Sequence, residues 1–185
     1  MSDDLQLCLV QGRQAYTDGD YSVAQQHFER ALQICEQLFG HSHSDTASIF
    51  NNLGTIFYRQ GKHNEALSFL GDALTIRETI FGSNHPDTAE SLNNLGAVFY
   101  AQGEYAKAQL HFERALLIRE QLLGGNNIDV ASNLNNLGTL LYAQGKYNDA
   151  QHYLIRAVKI YETILGPNHP QTIACKKDLT VVEST

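Results

Sequence analysis

Three pairs of adjacent asparagines stand out in the chain: Asn51-Asn52, Asn93-Asn94 and Asn135-Asn136, each followed by Leu-Gly. A primary amide carries both donors and an acceptor, so it suits recognition of peptide groups better than proton transfer or nucleophilic attack. Asparagine is also a poor helix former, because its amide competes for backbone hydrogen bonds. The remaining chemically suggestive residues are weaker candidates. The stretch His41-Ser42-His43-Ser44-Asp45 holds metal-ligand types, but His43 recurs as His85 and His169 on one fixed step and belongs to a repeated loop. His27 and His111 recur in the same way within His-Phe-Glu-Arg-Ala-Leu. Cys8, Cys35 and Cys175 are widely spaced with no CxxC, which points to free, partly buried thiols. No glycine-rich phosphate loop, HExxH, GxSxG or catalytic Cys/His pairing is present. Catalytic, metal and cofactor sites are therefore expected to be none, and the chain is not expected to be an enzyme.

The elements that position the asparagines follow from a period of 42 residues. Gly54, Gly96 and Gly138 keep it (96 − 54 = 42; 138 − 96 = 42), as do Ala24, Ala66, Ala108 and Ala150, and Gly40, Gly82, Gly124 and Gly166. The frames are 2–43, 44–85, 86–127 and 128–169, with a last helix over 170–183. They leave no linker, so 1–185 reads as one domain. Each frame predicts two helices. The first, as in 86–102, opens with Pro86, whose missing N–H is harmless there, and with Asp87 in the first turn. Leu92, Leu95, Gly96 and Phe99 form one face, and Gly103 ends the helix as a left-handed cap. The second runs from about Glu104 to Leu122, with Ala108, Phe112, Ala115 and Ile118 or Arg119 inward. Gly96 and Ala108 mark a close helix crossing, and Leu95, Phe99 and Phe112 are expected to fill the space between hairpins. No segment alternates with period two, so the fold class is all-α.

The pattern Leu95-Gly96, Phe99-Tyr100, Ala108, Phe112, Ala115 resembles the tetratricopeptide repeat (TPR). The phrase LFGSNHPDTAESLNNLGAVFYAQGEYAKAQLHFERALLIRE is similar to the long unit of kinesin light chains and related bacterial and cyanobacterial TPR proteins. The resemblance spans residues 2–169 and implies a right-handed superhelical α-solenoid whose first helices line a concave groove. No heptad coiled coil precedes the first frame, that frame has Leu9-Val10 in place of the asparagine pair, and the fourth opens on GGNNIDV. A bacterial or cyanobacterial relative, or an excised repeat segment, fits these departures better than a motor subunit.

At about 100° per residue, with Leu92 at 0°, Leu95, Gly96 and Phe99 cluster on the packed face. Asn93, Ala97, Tyr100 and Ala101 share the opposite flank, with Asn94 at its edge. The expected peptide-binding set is therefore Asn51, Asn52, Asn93, Asn94, Asn135 and Asn136, with Tyr58, Tyr100 and Tyr142, and with Arg13 and Arg59; Tyr16, Thr55, Ala97 and Thr139 continue the rows. The resemblance implies that such asparagines contact bound peptide, and Ala at Asn93 and Asn135 is expected to weaken binding at unchanged melting temperature. The same amides could instead bond a neighbouring helix and fix repeat register, and the tyrosines could serve inter-repeat packing. Arg13, Arg59 and Lys177 face Glu90, too few cations to imply acidic cargo. The partner is expected to be a protein or peptide in extended conformation. A net charge of −7 argues against nucleic acid and anionic membrane, no apolar run approaches a membrane span, and the acidic N-terminus is unlike a signal peptide, so a cytoplasmic location is expected. The alternative function is a structural or self-assembling module, excised from a larger signalling protein and stacking weakly end to end as a homo-oligomer.

Overall fold

A computed structural model describes residues 3–185; Met1 and Ser2, which opens the first frame, lie outside the described residues. Helices account for nearly all of them: α1 (Asp3–Thr17), α2 (Tyr21–Phe39), α3 (Ser44–Arg59), α4 (His63–Phe81), α5 (Pro86–Ala101), α6 (Tyr105–Leu123), α7 (Ile128–Ala143), α8 (Tyr147–Leu165) and α9 (Pro170–Glu183). The fold class is all-α, a succession of helical hairpins, and no strand occurs among the described residues. The chain divides into two compact units, one ending at Ser83 and the other running Asn84–Thr185.

In the first unit α1 pairs with α2, α3 with α4, and α2 with α3; in the second α5 pairs with α6, α7 with α8, and α8 with α9, while α6 packs on α7. Each hairpin closes over a glycine of its first helix. A Cβ at Gly96 would lie 2.7 Å from the Phe112 ring, one at Gly54 2.5 Å from Leu70 Cγ, and one at Gly12 2.9 Å from the Phe28 ring. Phe112 thus closes its own hairpin crossing and also joins the core shared with the next hairpin, beside Val130, Ala131 and Leu134. Phe99 stays half-buried beside His111, ring centroids 5.1 Å apart.

The recurrent loop residue is a helix cap. The imidazole Nδ1 of His43 accepts from the Asp45 backbone N–H at 3.2 Å, and that of His169 from the Gln171 N–H at 3.3 Å. In the fourth frame Asn127 Oδ1 does the same for Asp129 at 2.8 Å. The departure GGNNIDV therefore keeps the cap with a different acceptor. Just downstream, the buried Thr46 and Thr172 hydroxyls donate to the carbonyls of Gly40 and Gly166 at 2.9 and 2.8 Å, tying each first helix to the end of the preceding second helix. His169→Asn is expected to keep thermal stability within a few tenths of a kcal/mol, and His169→Ala to lose about 1 kcal/mol. Thermal unfolding followed by circular dichroism distinguishes the two.

Candidate functional site

The helices that carry the asparagine pairs are α3, α5 and α7, and the exposed strip they offer is narrower than helical angles alone predict. On α7 the packed arc extends beyond Leu134, Leu137 and Gly138 to Asn133 and Leu140, both at 0% exposure. The first helix packs against its hairpin partner and also against a neighbouring hairpin, so two flanks are buried instead of one. On α5, past the exposed Pro86 at its start, what remains open is Glu90 and Ala101, flanked by half-buried Asn93, Asn94, Ala97 and Tyr100. On α7 the same strip holds exposed Ala143 beside half-buried Asn135, Asn136, Thr139 and Tyr142. In the first unit Asn51 is 3% exposed, which removes it from any open strip, whereas Asn52 and Tyr58 are half-buried and Arg13 and Arg59 are exposed.

The pairs form a ladder between successive first helices. Asn93 Oδ1 on α5 accepts from Asn136 Nδ2 and from Asn133 Nδ2 on α7, both at 2.9 Å. Asn133 Oδ1 in turn accepts from the buried Arg119 Nη1 at 2.5 Å, and Arg119 also donates to the Asp129 carbonyl at 3.2 Å. Burial pushes the Arg119 guanidinium below its ordinary value, and Asp129 and Glu90 oppose the shift. The second rung follows the same rule. Asp178 on α9 stands one period after Asn136 (178 − 136 = 42) and receives a hydrogen bond from Asn135. Burial raises the Asp178 carboxyl, while the Asn135 bond and Lys177 act against it. A carboxylate only accepts, so Asn135 must turn its N–H toward it; Asn135 Oδ1 is left buried without a partner among the described residues. Within the second unit the first asparagine of a pair thus meets the second position of the following first helix. This is the register role that the sequence left open.

The other predicted rows also resolve into local contacts. Thr55 and Thr139 donate to their own helix, at the carbonyls of Asn51 and Asn135, 2.6 and 3.0 Å away. Each tyrosine packs on the ring that opens the second helix of its hairpin. Tyr16 meets Tyr21 at 5.5 Å, Tyr58 meets His63 at 6.0 Å, Tyr100 meets Tyr105 at 5.7 Å and Tyr142 meets Tyr147 at 5.5 Å. These ring contacts lie within a repeat, while Tyr100 also packs on the core shared with the next hairpin, and the ring at each second-helix start was a 42-residue signal that the sequence reading passed over. Arg59 Nε donates to the Tyr16 hydroxyl at 3.3 Å, and that bond raises its already high value. Among the described residues, Arg13 and Asn52 have no side-chain partner. The same residues contain no cluster of three metal-ligating side chains and no helix long and apolar enough to cross a membrane. Burial pushes the Cys175 thiol up to about 12, so it is not a nucleophile at neutral pH.

The hairpin with a glycine crossing, the second-helix alanine and the terminal glycine repeat in every frame. A family profile described as Tetratricopeptide repeat matches residues 11–79, 45–121, 97–163 and 129–185. The chain belongs to the tetratricopeptide repeat family. Among solved structures, BtubC (BKLC) from P. vanneervenii is 24% identical with a TM-score of 0.82, over 97% of this chain and 71% of that one. The nearly identical TPR-like repeats of a Podosopora anserina protein described as a kinesin light chain are 20% identical with a TM-score of 0.80, over 100% and 88%. A Rap protein complexed with Competence and Sporulation Factor is 18% identical with a TM-score of 0.81, over 97% of this chain and 48% of that one. No curated protein matches the sequence significantly. The structural neighbours thus include kinesin light chain-like TPR proteins, and likeness at these identities bears on the fold. The TPR fold is that of a protein-interaction scaffold.

Proposed function

We propose that this chain is a non-catalytic scaffold whose first helices hold an extended segment of a partner protein. The observation that carries the reading is the run of small residues along the open strips: Ala97 and Ala101 on α5, Thr139 and Ala143 on α7. They leave room for a peptide backbone between half-buried tyrosines and amides, and Tyr58, Tyr100 and Tyr142 are pre-packed by their partner rings, so little side-chain entropy is lost on contact. Asn52 in the first unit and Asn94 in the second supply amide contacts. Asn93, Asn135, Asn136 and the buried Asn51 act as supports. A protein of this fold solved in complex with a factor adds to the reading.

Selection of random dodecapeptides, displayed with free C-termini, on the full chain tests it. Binders are expected from the wild type, and the double variant Ala101→Trp/Ala143→Trp is expected to lose at least tenfold in affinity at unchanged melting temperature. Binders that ignore the tryptophans, or no binders, would overturn it.

One observation favours self-assembly as a second reading. Leu7 and Val10 on α1 are 55% and 54% exposed, although the positions one and three periods after Leu7, Ile49 and Asn133, are 2% and 0% exposed. Under this reading light scattering shows mass rising with concentration, and Leu7→Glu abolishes the rise.

A further inference from the structure

The outer faces of the second helices differ between the two units. In the first unit the outward positions are Gln26 and Gln33 on α2 and Ser68 and Thr75 on α4. One period on (68 + 42 = 110; 75 + 42 = 117), α6 carries Leu110 and Leu117, and on α8 Ile155 stands one period after Glu113. Leu110, Leu117 and Ile155 are 65%, 56% and 49% exposed. The repeat does not need leucine there to fold, since the first unit builds the same hairpins with polar residues. Leu117 stands one turn before Glu120 and Ile155 next to Arg156, and Arg156 Nη2 donates to Glu120 Oε1 at 2.7 Å. The three side chains therefore share one patch across α6 and α8. Beside it an open groove of about 450 Å³ is lined by Gly125, Asn126, Arg156 and Lys159. The corresponding groove of the first unit holds about 170 Å³ and is lined by His41, Asp72 and Thr75. Glycine in place of histidine widens it, and Arg and Lys in place of Asp and Thr reverse its charge. The Lys159 ammonium has no ionic partner among the described residues. On α1, Asp3, Leu7, Val10 and Gln14 follow one line at steps of four, three and four, the seam along which helices pack side by side. On α6, Ala106, Leu110, Glu113 and Leu117 keep the same steps. Leu7 and Val10 are more than half exposed, and Asp3 and Asp4 in the first turn have no ionic partner among the described residues.

We propose that the outer face of α6 and α8 docks α1 of a second copy of this chain. Leu7 and Val10 pack on Leu110, Leu117 and Ile155, and the acidic first turn of α1 enters the widened groove toward Lys159. The occupant is a helix because an outer surface made of helices offers no row of free backbone groups to pair with, so the partner must satisfy its own backbone. The contact is heterologous: one copy supplies α1 and the other supplies α6 and α8. One helix face falls short of the roughly 1,200–2,000 Å² of a standard stable interface, so association is weak and shows as concentration rises. The proposal rests on the self-assembly reading above and adds which face receives α1. It leaves the open strips of α5 and α7 free.

Sedimentation equilibrium of the full chain across a concentration series tests it by complementation. Leu7→Glu spoils α1 and keeps the α6 and α8 face; Leu110→Ser/Leu117→Thr spoils that face with the residues found at the same positions in the first unit and keeps α1. The wild type is expected to gain mass with concentration, and each variant alone to stay monomeric at unchanged melting temperature. Mixed, the two variants are expected to form a one-to-one dimer and stop there. Adding Lys159→Glu to the Leu7→Glu chain is expected to weaken that dimer at least tenfold, and Asp3→Lys/Asp4→Lys in the other chain to restore it. A mixture that stays monomeric while the wild type associates overturns the docking face and leaves self-assembly standing. A mixed dimer indifferent to both charge reversals overturns the seating of the acidic turn at Lys159. A wild type that stays monomeric at every concentration overturns both readings.

Discussion

Asn93→Ala is expected to destabilise the second unit by about 2–3 kcal/mol, although the side chain is only half-buried. The substitution removes one acceptor and strands two donors, Asn133 Nδ2 and Asn136 Nδ2. Asn133 is fully buried and is held from its other side by Arg119, so it cannot turn to solvent without releasing a guanidinium that is itself 9% exposed. Stranding one buried donor costs about 1–3 kcal/mol. Asn52→Ala is the control, because the Asn52 amide has no partner to strand; its effect on stability is expected within about 0.5 kcal/mol. Urea unfolding measures both, and a double-mutant cycle of Asn93→Ala with Asn136→Ala is expected to give a coupling of about 1 kcal/mol. A loss at Asn93 no larger than at Asn52 would mean that the ladder does not hold register. A loss of that size would replace the sequence expectation that Asn93 can be truncated at unchanged melting temperature.

The physical reason that this reversal was not legible lies in what periodicity measures. A 42-residue step fixes which residues share an environment, and helical angles fix the face each takes on its own helix. Both gave the hairpins, the glycine crossings, the left-handed Gly103 (φ 77°) and the last helix correctly. Neither says which flank the next repeat covers. The stagger that brings Asn93 beside Asn136, not beside its own equivalent Asn135, is a property of packing between hairpins. Once known, it makes other substitutions readable. Asp178 is the second-asparagine position recast as an acceptor, Asn127 is the histidine cap recast as an amide, and Leu9 is the place where the ladder stops. The ring pairs were missed for a related reason. Rows from one frame to the next were sought, while each tyrosine also meets a ring five residues onward in the same hairpin.

Two glycine-to-alanine changes are expected to move stability in opposite directions, and the pair tests the close crossing that the repeat depends on. At Gly138 an added Cβ would stand 2.6 Å from Leu154 Cγ and 3.2 Å from the Ala150 carbonyl oxygen. Rotating Leu154 about χ2 leaves its branch point in place, rotating it about χ1 drives a fully buried side chain into its neighbours, and the Ala150 contact is backbone, so the helices must separate. Overpacking of this kind costs about 1–3 kcal/mol, more than the roughly 1 kcal/mol that alanine gains over glycine in helix propensity. At Gly71, inside α4, an added Cβ would have nothing within 4 Å, so Gly71→Ala keeps the propensity gain and should stabilise by about 0.5–1 kcal/mol. Gly138→Ala should therefore lower the urea midpoint while Gly71→Ala raises it. Leu154→Ala, which opens a cavity where the leucine was fully buried, is expected to cost about 2–5 kcal/mol alone. Combined with Gly138→Ala it should cost less than the two separate losses added together, because the new methyl then occupies vacated space. Additive losses would place the strain at Gly138 in the Ala150 backbone contact instead of the leucine, and the helix separation, rather than side-chain fit, would then be the quantity that the recurrent 42-residue spacing of Gly54, Gly96 and Gly138 protects.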